Sequence, residues 1–339
     1  MIFNLNEAFE NMMQSHDLNT VVLLAHMNPD GDAAGSVLGL AHYIHDVYPQ
    51  YTVLPYLAST LDTGPKKLVA DDTLFDPYVL PEAERYGVIV CDTATKKRMI
   101  GLEIYDKAVS SIVINHHAAN EGYGDVNCTL VSEACSENVF FFLDWKRWTN
   151  LDNAECATKN IHPNAADYLY LGILHDTGGF VRAQISTMDA AHKLLQLGVV
   201  HKYIMKTMQN TTLDVLQKRS TLLSLAKRAI DGKVSYLFVD RQQAEELGIE
   251  YEDIHPISGF LRDCEDMELG FTMYEEISGT WRCSFRSDGM WVNVNELLQP
   301  FGGGGHAAAA GLRKPTDDPQ KLLADILQRI DEMRRRDKE

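Results

Sequence analysis

Seven side chains suited to holding divalent cations stand at or near the ends of apolar runs in this chain. His26, Asp30 and Asp32 lie in T-V-V-L-L-A-H-M-N-P-D-G-D-A-A-G-S, from Thr20 to Ser36. Asp92 ends G-V-I-V-C-D, His116 and His117 end S-I-V-I-N-H-H, and Asp176 lies in L-H-D-T-G-G-F. Imidazole mixed with carboxylate suits divalent ions such as Mn²⁺ or Mg²⁺. Four carboxylates and three imidazoles are too many for one octahedral ion that must also hold water and substrate. They suit two ions sharing a carboxylate, which at about 3.5–4 Å apart hold a hydroxide between them and stabilise in-line attack on phosphorus. Metal binding lowers the pKa of that water, so the nucleophile forms near neutral pH. For Asp30, Asp32 or Asp92 taken singly, a helix cap is an equal reading, but the whole set is not explained by capping.

The elements that must position these residues follow from the apolar pattern. Thr20–Ala25, Thr52–Leu57, Gly87–Asp92 and Ser111–His117 read as short strands. Helical spacing runs over residues 5–16, Ala33–Tyr48, 133–145 and Asp167–Thr177, the last delivering Asp176 at its end. Short continuous apolar strands alternating with helices predict a parallel sheet with helices on both faces. Open sheets of this kind place ligands at the carboxyl ends of their strands. Residues 146–164 are polar and expected on the surface. Ser186 to about Ala229 is nearly all helical in pattern, broken at Gly198. A second, mixed α/β region begins at Val234, with Leu269–Tyr274 and Thr280–Arg286 as paired strands and a helix from Val294. F-G-G-G-G-H at 301–306 precedes A-A-A-A, which reads as a helix start, and 317–336 is an amphipathic terminal helix. His175 is expected to point away from Asp176 off its helix.

The 339 residues suggest two domains. A net charge of −17, from 31 basic and 48 acidic residues, excludes a broad basic face for long nucleic acid. A short anionic substrate stays compatible if bound cations supply the local field. The six cysteines form no CxxC pair, which removes zinc-ribbon and thioredoxin readings and fits free thiols in a reducing cytoplasm. The first residues, M-I-F-N-L-N-E-A-F-E, do not read as a signal peptide, and no run is long enough to span a membrane.

H-M-N-P-D-G-D-A-A-G-S, V-I-V-C-D, N-H-H, H-D-T-G-G-F and G-G-G-G-H-A-A-A-A-G, in that order along nearly the whole chain, resemble the motifs of the DHH/DHHA1 phosphoesterase superfamily. The nearest group is that of standalone nano-RNases that also dephosphorylate adenosine 3′,5′-bisphosphate (pAp). The resemblance implies a catalytic DHH domain over 1–200, a helical linker over 201–230, and a smaller DHHA1 substrate domain over 231–339; the helical stretch near 205–229 is the expected hinge. The site would lie in the cleft between the two. It implies one Mn²⁺ on His26, Asp30 and Asp92 and another on Asp32, Asp92, His116 and Asp176, with Asp92 bridging; Mg²⁺ or Co²⁺ are alternatives. His117 would face the substrate phosphate or the metal-bound water. Gly302, Gly303, Gly304 and Gly305 would close over the substrate, their N–H groups cradling a phosphate. His306 would contact phosphate or sugar, and Arg286 and Arg262 would bind phosphate or stack on a base.

The superfamily's Asp-His-His is Asn115-His116-His117 here. Asn115 still accepts a hydrogen bond and orients a histidine, but brings no charge, which retunes the metal site rather than abolishing it. The activity implied is hydrolysis of short oligoribonucleotides and pAp, with no membrane partner and a homodimer left open. Alternatives are a phosphodiesterase for pApA or cyclic dinucleotides, a pyrophosphate or polyphosphate hydrolase, and a non-catalytic nucleotide-binding protein.

Overall fold

The computed structural model describes residues 3–57, 61, 63–72, 74–78, 82–117, 120–149, 163–209, 212–254, 256–277 and 279–336. Most of the polar stretch expected on the surface over 146–164, with Cys156, lies outside them. The chain divides into two units, Met1–Asn210 and Thr211–Glu339.

The first unit runs α1 (Leu5–Ser15), β1 (Thr20–Leu24), α2 (Gly31–Val47), β2 (Thr52–Pro55), α3 (Thr63–Ala70), β3 (Gly87–Cys91), α4 (Leu102–Tyr105), β4 (Ser110–Asn115), β5 (Val126–Thr129), α5 (Cys135–Phe142), α6 (Trp145–Thr149), α7 (Ala165–Asp176), α8 (Ile185–Gln196) and α9 (His201–Gln209). Its strands form one parallel sheet in the order β2-β1-β3-β4-β5. Every residue of β1 and β3 is buried, because both faces of the sheet are covered. Side chains alternate across it. Val21, Leu23, Ile89, Cys91, Ile112 and Ile114 join the larger core with α1, α2, α5 and α7. Val22, Leu24, Val88, Val90 and Val113 meet Tyr86, Met99, Ile104 and Tyr105 on the other face. Helices thus cover both faces, as expected, but unequally.

The strand order reverses direction between β1 and β3, the switch point at which such sheets open a crevice. His26 follows β1 and Asp92 follows β3 at that edge. Facing them, α7 lies on α2 at unusually short range. Gly31, Gly35 and Gly39 of α2 fall four residues apart on one face. A Cβ on Gly35 would stand 2.6 Å from the Tyr168 carbonyl oxygen and 2.9 Å from Gly172 Cα. Absent side chains let the two helices touch, which carries the end of α7, with Asp176, to the start of α2.

The second unit holds α10 (Leu213–Ser224), β6 (Lys227–Ala229), β7 (Val234–Val239), α11 (Arg241–Leu247), α12 (Tyr251–Ile254), α13 (Ile257–Arg262), β8 (Leu269–Ile277), β9 (Thr280–Ser287), α14 (Val294–Leu298), β10 (Gly304–Gly305), β11 (Ala309–Pro315) and α15 (Pro319–Arg336). Its six-stranded mixed sheet has the order β10-β11-β9-β8-β7-β6. The expected β8–β9 pair is antiparallel, while β7 and β8 are parallel. The alanine run is not the helix start expected. Ala309 and Ala310 open β11, which pairs with β9 along its whole length, so tertiary pairing overrides the helical propensity of alanine. Among the described residues no helix is long and apolar enough to cross a membrane.

Candidate metal centre

Each sequence-predicted ligand is held by its own local device. His26 is fixed by its bridge to Met99, flanked by hydrogen bonds from Ile100 N to Ala25 O (2.9 Å) and from Met27 N to Arg98 O (2.6 Å). Asp30 is the N-cap of α2, its Oδ1 accepting from Asp32 N at 3.0 Å and Ala33 N at 3.1 Å. It is therefore a cap and a ligand candidate at once. Asp32 is fully buried and accepts from Cys135 N (2.5 Å, Oδ2) and Ser136 N (2.9 Å, Oδ1) at the start of α5, where the helix dipole favours a carboxylate. Asp92 sits at φ 52°, an αL conformation, with its N–H bonded to Ile114 O. Asp176 ends α7.

The groups converge. His26 Nε2 lies 3.4 Å from Asp92 Oδ2 and 3.9 Å from Asp30 Oδ1. His116 Nε2 lies 3.3 Å from Asp92 Oδ1 and 3.6 Å from Asp176 Oδ2. Four overlapping trios bring ligand atoms within 4.8 Å of one another: His26–Asp30–Asp92, Asp32–His116–Asp176, Asp92–His116–His117 and Asp30–His175–Asp176. The last contains the histidine that helical spacing sent elsewhere. His175 Nδ1 is 3.4 Å from Asp176 Oδ1.

The donor set fits divalent ions on two independent observations. Three imidazoles place Nδ1 against an oxygen acceptor: His26 on Met27 O (2.9 Å), His116 on Ser132 O (3.1 Å) and His117 on Asn115 Oδ1 (2.8 Å). Oxygen acceptors there place the proton on Nδ1 and leave Nε2 for a metal or substrate, the arrangement metal-binding histidines use. Asp92 Oδ1 is buried among the imidazoles with no aligned hydrogen-bond donor, as a metal ligand would be. Asn115 Oδ1 also accepts from His116 N and His117 N.

Protonation follows from this crowding. Burial opposes charge on both histidines. The adjacent Asp92, with Asp30 behind it, still raises His26 to about 9. Asp92, Asp32 and Asp176 raise His116 to about 10. Burial also opposes charge on Asp92, yet His116 and His26 hold it well below the usual carboxylate range. Asp30 and Asp32 shift upward, through burial first and then through repulsion from Asp92 and Asp176. The raised imidazoles stabilise the metal-free fold fully below about pH 6.5, and this is lost as pH rises through 9–10. The raised carboxyls act oppositely, costing stability once they ionise. A divalent ion must displace the imidazole protons and relieves the carboxylate repulsion. Metal affinity of the purified protein is thus expected to rise from pH 6 to pH 8. Calorimetry in buffers of different ionisation enthalpy should detect released protons, whereas a pH-independent affinity would contradict this account.

In the second unit Gly270, Arg286 and Ala309 lie side by side across β8, β9 and β11, so their side-chain positions share one face. A Cβ on Gly270 would meet Arg262 N at 2.5 Å, which puts the end of α13 on that face too. Arg286 Nη1 donates to Phe285 O and Arg262 Nη2 pairs with Asp263. His306 is exposed on a tight turn, its N–H bonded to Ala309 O. The glycine segment differs from expectation. Gly302 N bonds Gln299 O, Gly303 N bonds Leu298 O and Gly305 N bonds Asn295 Oδ1. Those three N–H groups are committed within the chain. The glycines are required by close backbone approach: a Cβ on Gly303 would lie 2.7 Å from Gly311 O, and one on Gly305 2.5 Å from Ala309 O.

Residues 20–173 match the DHH family, N-terminal domain, and residues 231–333 match the DHHA1 domain. The bifunctional oligoribonuclease and PAP phosphatase NrnA of Bacillus subtilis is 26% identical over 314 residues, 91% of this chain and 94% of that protein. The protein of the same name from Thermus thermophilus is 26% identical over 328 residues, 92% of this chain and 89% of its own. The crystal structure of an exopolyphosphatase-related protein from Bacteroides fragilis superposes with a TM-score of 0.78 at 20% identity, over 98% of this chain and 97% of that one, which bears on fold alone. With both domains matched in order and the acidic and imidazole groups gathered at the sheet's switch point, the chain belongs to the DHH/DHHA1 superfamily of phosphoesterases.

Proposed function

We propose that this phosphoesterase is Mn²⁺-dependent, hydrolyses short oligoribonucleotides to mononucleotides and removes phosphate from pAp. The observation carrying the reading is the convergence of His26, Asp30, Asp32, Asp92, His116 and Asp176 into trios of metal-binding dimensions. The names of the relatives support the substrate class. When bound, two divalent ions supply the Lewis acidity that activates water and offsets charge developing on the phosphoryl oxygens.

The chain's own residues do the rest. Asp92 offers Oδ2 on the His26 side and Oδ1 on the His116 side, and so is the carboxylate suited to serve both ions. Asp32, tied to the start of α5, anchors the ligand set of the second ion without side-chain freedom. His117, with Nδ1 committed to Asn115, holds Nε2 for the phosphoryl group or the attacking water. Arg286, Arg262 and His306 bind the substrate's phosphate or base through their side chains, and Gly302–Gly305 set the position of His306. Mg²⁺ or Co²⁺ could replace Mn²⁺, since the donors are mixed. The acidic balance, 48 against 31, disfavours long polymers. Five described cysteines are free thiols, which supports a cytoplasmic setting.

The test is hydrolysis of a 5′-labelled RNA dinucleotide, a long RNA and pAp, each with Mn²⁺. Turnover of the dinucleotide and pAp, with the long RNA far slower, is expected. Failure on both short substrates overturns the proposal, and pApA and pyrophosphate would be tried next.

A further inference from the structure

His175 is placed with a care that a surface histidine does not need. It occupies the last turn of α7, one residue before Asp176, and its side chain is 29% exposed. Its ring lies close against the first residue of α2. A Cβ on Gly31 would stand 2.4 Å from His175 Cγ and 2.6 Å from both Cβ and Cδ2, so the ring fits only because residue 31 has no side chain. In that cradle its ligand nitrogen lies within 4.8 Å of carboxylate oxygens of Asp30 and Asp176. Asp30 also belongs to the His26–Asp30–Asp92 trio, and Asp176 to the Asp32–His116–Asp176 trio. His175 therefore stands where the two ligand groups meet.

We infer that His175 is a further ligand of the metal centre, shared with Asp30 and Asp176, and that it turns the centre's preference from Mg²⁺ toward ions that favour nitrogen, such as Co²⁺. This rests on the proposed metal-dependent reading. Carboxylates serve Mg²⁺ and Mn²⁺ well, whereas each added imidazole raises affinity along the Irving–Williams order. With His175 the centre has three imidazoles, beside His26 and His116, against four carboxylates.

The experiment titrates metal-free protein with Co²⁺, followed by its visible absorption, and with Mg²⁺ by calorimetry. Wild type is compared with His175→Ala and with Gly31→Ala, which crowds the ring while keeping it. Thermal melts of the metal-free proteins check folding. His175→Ala should weaken Co²⁺ by more than the roughly 10- to 100-fold typical of a group acting only through a ligand, with a changed visible band, and Mg²⁺ far less. Gly31→Ala should move the Co²⁺ spectrum and affinity in the same direction. In wild type labelled with ¹⁵N-histidine, Mn²⁺ hyperfine spectra should count three coordinated imidazoles, a readout that needs no variant. Unchanged Co²⁺ affinity and spectrum in folded His175→Ala, or a count of two imidazoles, overturns the inference while leaving the metal centre standing. A raised KM for substrate with unaltered metal binding also overturns it, and makes His175 a substrate contact. Wild type that binds no divalent ion overturns the metal-dependent reading itself.

Discussion

Asp92→Asn is expected to lower turnover of the dinucleotide and of pAp by on the order of 10³-fold, with the fold retained. The substitution keeps shape and removes the charge that both ligand groups share. Asp92 Oδ2 stands 3.4 Å from His26 and Oδ1 3.3 Å from His116, so on the proposed two-ion reading one change would weaken both ions together. The effect should exceed the roughly 10- to 100-fold typical of a group acting only through a ligand. Stability without metal should fall too, because Asp92 holds its charge against burial by means of His26 and His116. A carboxyl with a depressed pKa contributes stability above its unfolded pKa near 4 and loses it as pH falls toward the folded value. The melting difference between wild type and variant should thus be large at pH 7 and shrink at pH 3. Retained turnover with full metal affinity would remove Asp92 from the centre.

The candidate ligands were legible because open parallel sheets place ligands at the carboxyl ends of their strands. His26, Asp92 and His116 each follow a run whose burial has no use for charge. His175 was not legible. Successive helical residues diverge by about 100°, and what draws both His175 and Asp176 into one centre is a missing side chain at Gly31, which reads in sequence only as part of D-G-D. The capping and ligand readings of Asp30 competed on paper, yet the structure uses one oxygen for the cap within a group of metal-binding dimensions. Alanines at 309–310 misled because their intrinsic preference is helical, while the small side chains serve to let β11 lie against the glycine segment. The short strands β5 and β6 lack the apolar runs that betray a buried strand. In the glycine segment the sequence pointed to open N–H groups. Three of the four N–H groups there bond Gln299, Leu298 and Asn295, and close backbone approach accounts for the glycines at 303 and 305.

Gly35→Ala should show that the centre depends on how closely α7 lies against α2. In an isolated helix this change is favourable by up to about 1 kcal/mol. Here the new methyl would stand 2.6 Å from Tyr168 O and 2.9 Å from Gly172 N and Cα, all backbone atoms that cannot rotate away. Overpacking of this kind costs about 1–3 kcal/mol, and more when backbone must move. The expected net loss is about 2 kcal/mol, or about 4–8 °C in Tm for a unit of this size. Gly39→Ala is the internal comparison. Its methyl would meet the Leu169 side chain at 2.7–2.8 Å, which has rotamers to use, and only one backbone atom, at 3.1 Å. Its melting point should fall by less. The two should differ more in activity than in stability. Displacing α7 by even 1 Å moves Asp176 and His175 away from Asp30 and His116, and a shift of that size costs on the order of 10²-fold in rate. Gly39 lies two helical turns from the centre, so its variant should keep most of its turnover and metal affinity. Equal melting points and equal turnover for the two variants would mean that α7 yields without moving its end. The glycine spacing of α2 would then concern folding alone, and the ligands on α7 would be positioned by α5, which also packs on it.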